Sequence, residues 1–95
     1  MIQSPDIAVP QARILIVDDE AGNRDVLEII LKHEGFLVTT AAGGEAALAA
    51  LAQQPPDLIL LDIMMPGMDG YEVAAKVKAD PVTRPIPVVM VSALH

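Results

Sequence analysis

Arg13-Ile14-Leu15-Ile16-Val17-Asp18-Asp19-Glu20 is the stretch on which the architecture turns. Its apolar residues run without alternation and stop abruptly at consecutive acids. A short continuous apolar run reads as a strand buried on both faces, the kind found in parallel sheets covered by helices. The same pattern recurs downstream. Leu58-Ile59-Leu60-Leu61 runs into Asp62, and Pro87-Val88-Val89-Met90-Val91 ends at Ser92. A further short β-rich segment, Phe36 to Ala41, is broken by Gly43-Gly44, which lacks the spacing of a dinucleotide loop and reads as a turn.

Helical periodicity fills the intervals. From Asn23 to Glu34, Val26, Leu27, Ile29, Ile30 and Leu31 recur at helical spacing with charges between them, and Gly35 supplies a stop. Glu45 to Gln53 is an Ala/Leu helix with Ala47, Leu48 and Leu51 expected to face inward, ended by Pro55-Pro56. After a loop from Met64 to Gly70, a third helix is predicted from Tyr71 to Ala79, closed by Asp80-Pro81. The order β-α-β-α-β-α-β implies a parallel sheet with right-handed crossovers. Ligands of such sheets sit at the carboxyl ends of strands, which singles out Asp18-Asp19, Asp62 and Ser92.

Composition narrows the function classes. The 95 residues allow one domain, and 53% hydrophobic content is far above that of a disordered chain. A formal charge of −7, with basic residues scattered as Arg13, Arg24, Lys32, Lys76, Lys78 and Arg84, argues against a nucleic-acid surface. With no cysteine, neither a disulfide nor a thiolate metal site is available. No apolar run reaches the ~18 residues of a membrane span, and the first residues have no signal-peptide pattern, so a cytoplasmic protein is expected.

If the first strand lies between the second and third, the carboxylates of Asp18, Asp19 and Asp62 converge. Carboxylates so placed repel, and must take up protons or share a cation. An all-oxygen set suits a hard ion such as Mg²⁺. One carboxylate could then attack phosphorus while the ion offsets the growing charge, and the Ser92 hydroxyl could donate to a phosphoryl oxygen.

Taken in order, Val17-Asp18-Asp19-Glu20, Leu61-Asp62-Ile63-Met64-Met65-Pro66-Gly67-Met68-Asp69-Gly70 and Val91-Ser92-Ala93 resemble the successive signatures of response-regulator receiver domains. The similarity covers nearly the whole chain from Arg13 onward. Any one motif is weak; three in order, each in its strand-and-loop context, are specific. The resemblance implies a flavodoxin-like, doubly wound α/β fold, truncated here to about four strands in the order 2-1-3-4 and three helices. Residues 1–12 are expected to be a disordered leader and residues 13–95 the truncated domain. By position, Asp62 resembles the phosphoacceptor, Asp19 the direct metal ligand and Asp18 its helper. Met64 would offer its backbone carbonyl to the metal, and Ser92 would follow the phosphoryl group. The implied cofactor is Mg²⁺, with Mn²⁺ or Ca²⁺ as substitutes, and the implied partner is a sensor histidine kinase or phosphotransfer protein. Beyond self-phosphorylation and self-dephosphorylation, no enzyme activity is implied.

The family's further helix, its fifth strand with a phosphate-binding lysine and its fifth helix have no counterpart before His95. The fourth strand is therefore expected to be an unpaired edge, which recruits other strands, with apolar helix faces uncovered beside it. This predicts a homodimer through the fourth strand and adjacent helix faces. It also sets a second reading beside phosphorelay, a non-phosphorylated dimerising interaction module. A phosphatase of the haloacid-dehalogenase type would need an aspartate where Met64 stands, and a P-loop enzyme would need a Gly-Lys-Ser/Thr loop.

The remaining features have plainer readings. Met64, Met65 and Met68 are expected to pack in their loop rather than bind a soft metal. Glu45 and Glu72 read as solvated helix charges, and His33 as a favourable cation near a helix end. His95 is only a chain end.

Overall fold

A computed structural model describes residues 11–91. Ser92, the last three residues and most of the expected leader lie outside the described residues. Four strands and three helices alternate: β1 (Arg13–Val17), α1 (Ala21–His33), β2 (Leu37–Ala41), α2 (Gly44–Gln53), β3 (Leu58–Asp62), α3 (Gly70–Ala79) and β4 (Val88–Val91). All strand pairs are parallel, and the sheet order is β2-β1-β3-β4. The expected fold class and strand order are therefore those observed.

The layering follows from the period-two alternation of strand side chains. Leu15 and Val17 of β1 join Ile59 and Leu61 of β3 in one core with Ala47 and Leu51 of α2 and Val73 and Val77 of α3. Ile14 and Ile16, equally buried, point to the other face. There α1 packs on β1 and β2.

The covering of that second face is partial. No residue of α1 is fully buried. Leu27 and Leu31, one turn apart, are half-buried, whereas Val26, Ile29 and Ile30 are exposed, Ile29 by 68%. Among the described residues β4 has no neighbour on its outer side; Val88 and Met90 pack on the core while Val89 and Val91 are exposed.

Several boundaries differ from the sequence reading. The first ordered bonds begin before Arg13: Gln11 Nε2 donates to the Gly35 carbonyl at 2.9 Å, and the Leu37 N–H donates to the Ala12 carbonyl at 2.9 Å. Residues 11 and 12 are thus tied to Gly35 and Leu37, just ahead of and at the start of β2. α1 starts two residues earlier than predicted, at Ala21, behind an N-cap (Glu20) that makes no side-chain cap bond. Gly35, with φ +97°, ends the turn after α1, as a glycine in the left-handed region does. The methionines divide: Met65 is buried and Met68 packs against the core, but Met64 is 69% exposed and packs on little.

The α3–β4 connection is held by side chains. Buried Thr83 donates from Oγ1 to the Val77 carbonyl at 2.7 Å. Lys78 Nζ donates to the carbonyls of Arg84 and Ile86, and Arg84 Nε donates back to the Lys78 carbonyl, each at 2.9 Å.

Candidate metal centre

The register of β1 against β3 builds the site. Val17 pairs with Leu61, so Asp18, just past the end of β1, comes level with Asp62, the last residue of β3. One carboxylate oxygen from each of Asp18, Asp19 and Asp62 lies within 4.8 Å of the others. Asp18 is 8% exposed and Asp62 5%, while Asp19 is exposed. The convergence expected from the sequence is present.

Backbone donors hold the two buried acids. The Glu20 N–H donates to Asp18 Oδ1 at 2.9 Å, and the Met64 N–H donates to Asp62 Oδ1 at 3.1 Å. Asp18 is also fixed through its main chain: its N–H donates to the Ala41 carbonyl at 3.1 Å, and its carbonyl accepts from Arg24 Nη1 at 2.7 Å.

Burial pushes the Asp62 carboxyl above the ordinary aspartate range. The charges of Asp18 and Asp19, and a side-chain hydrogen bond with Asp19, push the same way; the Met64 N–H opposes them. Buried charge needs compensation. Three clustered carboxylates, two of them buried, fit a hard divalent ion with oxygen ligands, the donor chemistry expected for Mg²⁺. Met64 stands at the rim with its N–H committed to Asp62.

Beside Asp62 the loop is tightly folded. The Gly70 N–H donates to the Ile63 carbonyl at 3.1 Å, bringing the start of α3 against the end of β3. A Cβ at Gly70 would run into the Asp62 carbonyl oxygen and lie 2.8 Å from Ile63 Cα, so only glycine fits. Asp69 caps α3: its carboxylate accepts from the Glu72 N–H at 2.9 Å while Glu72 accepts from the Asp69 N–H at 3.4 Å. Glu72 is therefore a capping residue rather than the merely solvated charge expected of it, and the Asp69-x-x-Glu72 spacing is the signal that marks it. An open groove of about 440 Å³ lies alongside, lined by Ile63, Met64, Met65, Pro66, Asp69 and Tyr71.

Sequence reasoning also passed over Arg24. A cation one turn into a helix runs against the helix dipole, and that misfit was the available sign of a specific task. Ser92 lies outside the described residues.

Comparison with known proteins bears on the whole arrangement. The family model described as response regulator receiver domain matches residues 14–95. The chain is 55% identical over 83 residues to "Response regulator PleD" of Caulobacter vibrioides, covering 87% of this chain but 18% of that protein. It is 43% identical over 81 residues to "DNA-binding response regulator MtrA" of Mycobacterium tuberculosis, covering 85% of this chain and 34% of the relative. The chain thus spans about a third or less of the lengths of these relatives. Among solved structures, the N-terminal domain of a response regulator receiver protein from Methanoculleus marisnigri superposes with TM-score 0.82 at 49% identity, over 83% of this chain and 64% of that one. The response regulator TrrA from Thermotoga maritima, solved in complex with Mg²⁺ and BeF, superposes with TM-score 0.82 at 37% identity, over 88% and 71%.

Proposed function

The chain belongs to the response regulator receiver domain family of two-component signalling, and from that membership we propose that Asp62 accepts a phosphoryl group from the phosphohistidine of a sensor kinase or phosphotransfer protein. The observation that carries the proposal is the meeting of the Asp18, Asp19 and Asp62 oxygens within 4.8 Å at the carboxyl ends of neighbouring strands. Asp62 Oδ1 is held by the Met64 N–H, which leaves Oδ2 as the nucleophile. In the transfer, a bond forms from Oδ2 to phosphorus as the phosphorus–nitrogen bond breaks. The bonding pair leaves with the imidazole nitrogen, and Asp62 becomes an acyl phosphate.

Asp62 must be ionised to attack, yet burial and its acidic neighbours favour its protonated form. The residues that would hold Mg²⁺ are Asp18, Asp19, Asp62 and the Met64 backbone carbonyl, with Mn²⁺ or Ca²⁺ able to substitute. When bound, the ion supplies positive charge that favours the ionised carboxylate and offsets the charge of the incoming phosphoryl oxygens. The reading is supported by the all-oxygen donor set and by the Mg²⁺ and BeF complex of the Thermotoga relative. Ser92, the residue after β4, is assigned the phosphoryl hydrogen bond. The chain is a signalling module of the cytoplasm, with no catalytic turnover beyond gain and loss of its own phosphoryl group.

The test is incubation with Mg²⁺ and acetyl phosphate, followed by intact mass measurement. A labile gain of one phosphoryl group, lost on Asp62→Asn and with chelator, is expected. A folded protein that never gains it refutes the assignment.

A second reading has its own observation. The outer edge of β4 and the apolar face of α1, with Val26, Ile29 and Ile30, are exposed among the described residues. On this reading the chain forms a homodimer through these surfaces and relays signals by contact. A monomer by light scattering at micromolar concentration would defeat it.

A further inference from the structure

We propose that Arg24 is a positioning residue for the acid cluster, its guanidinium bracing the Asp18 main chain so that Asp18 and Asp19 present their carboxylates toward Asp62. The proposal rests on reading those acids as a divalent-cation site.

β1 ends at Val17, so the Asp18 carbonyl has left the sheet ladder while its residue remains buried. A carbonyl outside the ladder and partly shielded from water needs another donor. Arg24 Nη1 supplies it at 2.7 Å. Arg24 is itself anchored, its N–H donating to the Glu20 carbonyl at 3.1 Å in the first turn of α1. The Glu20 N–H in turn donates to Asp18 Oδ1 at 2.9 Å. These bonds close a ring through Asp18, Glu20 and Arg24. Asp19 lies inside that ring, its main chain flanked by fixed residues on either side.

The form of the contact matters as much as its presence. Arg24 bonds a carbonyl, and among the described residues the one ion pair is Lys32 with Glu28. The carboxylate oxygens of the cluster are thus left to a cation instead of being consumed by a salt bridge. A guanidinium suits this task because its planar fork of donors is rigid.

Charge and positioning make opposite predictions. A nearby positive charge repels a divalent ion, so if Arg24 acted by charge alone, Arg24→Gln would strengthen binding. As a brace, its loss weakens binding. Supports around metal ligands carry roughly 10- to 100-fold of affinity. Because Arg24 touches a ligand's main chain and not its carboxylate, the low end applies, about tenfold.

The experiment is calorimetric titration of Mg²⁺ into the wild type, Arg24→Gln and Arg24→Lys, with Asp19→Asn as the reference for a lost carboxylate. Arg24→Gln is expected to raise the Kd about tenfold while the protein remains folded by circular dichroism, and Arg24→Lys is expected to fall between. A role confined to stability would lower Tm without moving the Kd. Equal or tighter binding by Arg24→Gln overturns the proposal. Should that variant not fold, Arg24→Lys decides: weaker binding supports the brace, unchanged binding overturns it. If the wild type itself binds no Mg²⁺, the cation-site reading fails and the brace is judged without metal. Amide exchange at Glu20, measured by NMR, is then expected to quicken in Arg24→Gln, and an unchanged rate refutes the brace.

Discussion

Neutralising Asp62 should stabilise the metal-free protein, although it removes the residue on which the proposed function depends. One carboxylate oxygen from each of Asp18, Asp19 and Asp62 lies within 4.8 Å of the other two. At that separation two unit charges repel by about 0.9 kcal/mol in a water-like medium and about 3.5 kcal/mol at an effective dielectric constant of 20. Asp18 is buried with Asp62 and lies toward the larger figure; Asp19 is exposed and lies toward the smaller. Burial first, and then these neighbours, raise the Asp62 pKa, so its ionised form is the disfavoured one in the folded protein. Asp62→Asn keeps the oxygen that accepts from the Met64 N–H. A net gain of about 1–3 kcal/mol follows, and each kcal/mol is roughly 4–8 °C in Tm for a domain of this size.

The pH dependence has a definite sign. Because the folded-state pKa of Asp62 lies above its unfolded value, the native state binds the proton more tightly. Ionised Asp62 therefore costs stability above its folded pKa, and the cost disappears below the unfolded value of about 3.9. Thermal unfolding of both proteins in chelator, from neutral pH down to about 4, should show the variant's advantage shrinking as the pH falls. Saturating Mg²⁺ should narrow or invert the gap at neutral pH, since the wild type has more charge for the ion to offset. A variant less stable than the wild type at neutral pH without metal, or an advantage that grows in acid, would refute the reasoning.

Three further outcomes are expected. Gly70→Ala forces a Cβ onto the Asp62 carbonyl; overpacking of this kind costs about 1–3 kcal/mol, and urea denaturation should show a lower midpoint with an unchanged slope. Asp69→Ala removes the cap of α3 and its partnership with Glu72, costing about 1 kcal/mol in thermal unfolding, with Asp69→Asn recovering most of it. Thr83→Val strips the hydroxyl that donates to the Val77 carbonyl at 2.7 Å, which should cost about 1–3 kcal/mol by the same denaturation assay.

What could be read from the residues, and what could not, divides along physical lines. The runs Ile14–Val17 and Leu58–Leu61 announced buried parallel strands because burial on both faces leaves no room for polar alternation. The acid cluster was legible because strand ends in such sheets share one side. Helix starts were less so: Glu20 caps α1 without a side-chain bond, so no Ser, Thr, Asp or Asn marked Ala21 as its beginning. At Gly70 the identity is set by backbone crowding, which no local propensity reports. Periodicity in α1 correctly named an apolar stripe, but it cannot say whether anything covers that stripe, and Val26, Ile29 and Ile30 are uncovered. The place of Arg24 early in α1 could flag a task but not its partner, because that partner is a main-chain carbonyl, which leaves no trace in a list of side chains.

The pairing of Val17 with Leu61 has a consequence for what changes this chain can tolerate. Side chains on a strand change face with every residue, so the meeting of Asp18 and Asp62 works like a vernier scale, correct at one setting and wrong at each adjacent notch. Losing a single residue between Leu58 and Leu61 would turn Asp62 away from its partners while leaving every carboxylate in the chain. Point substitutions at the acids subtract charge by charge, but an indel in β3 would dismantle the whole arrangement at once.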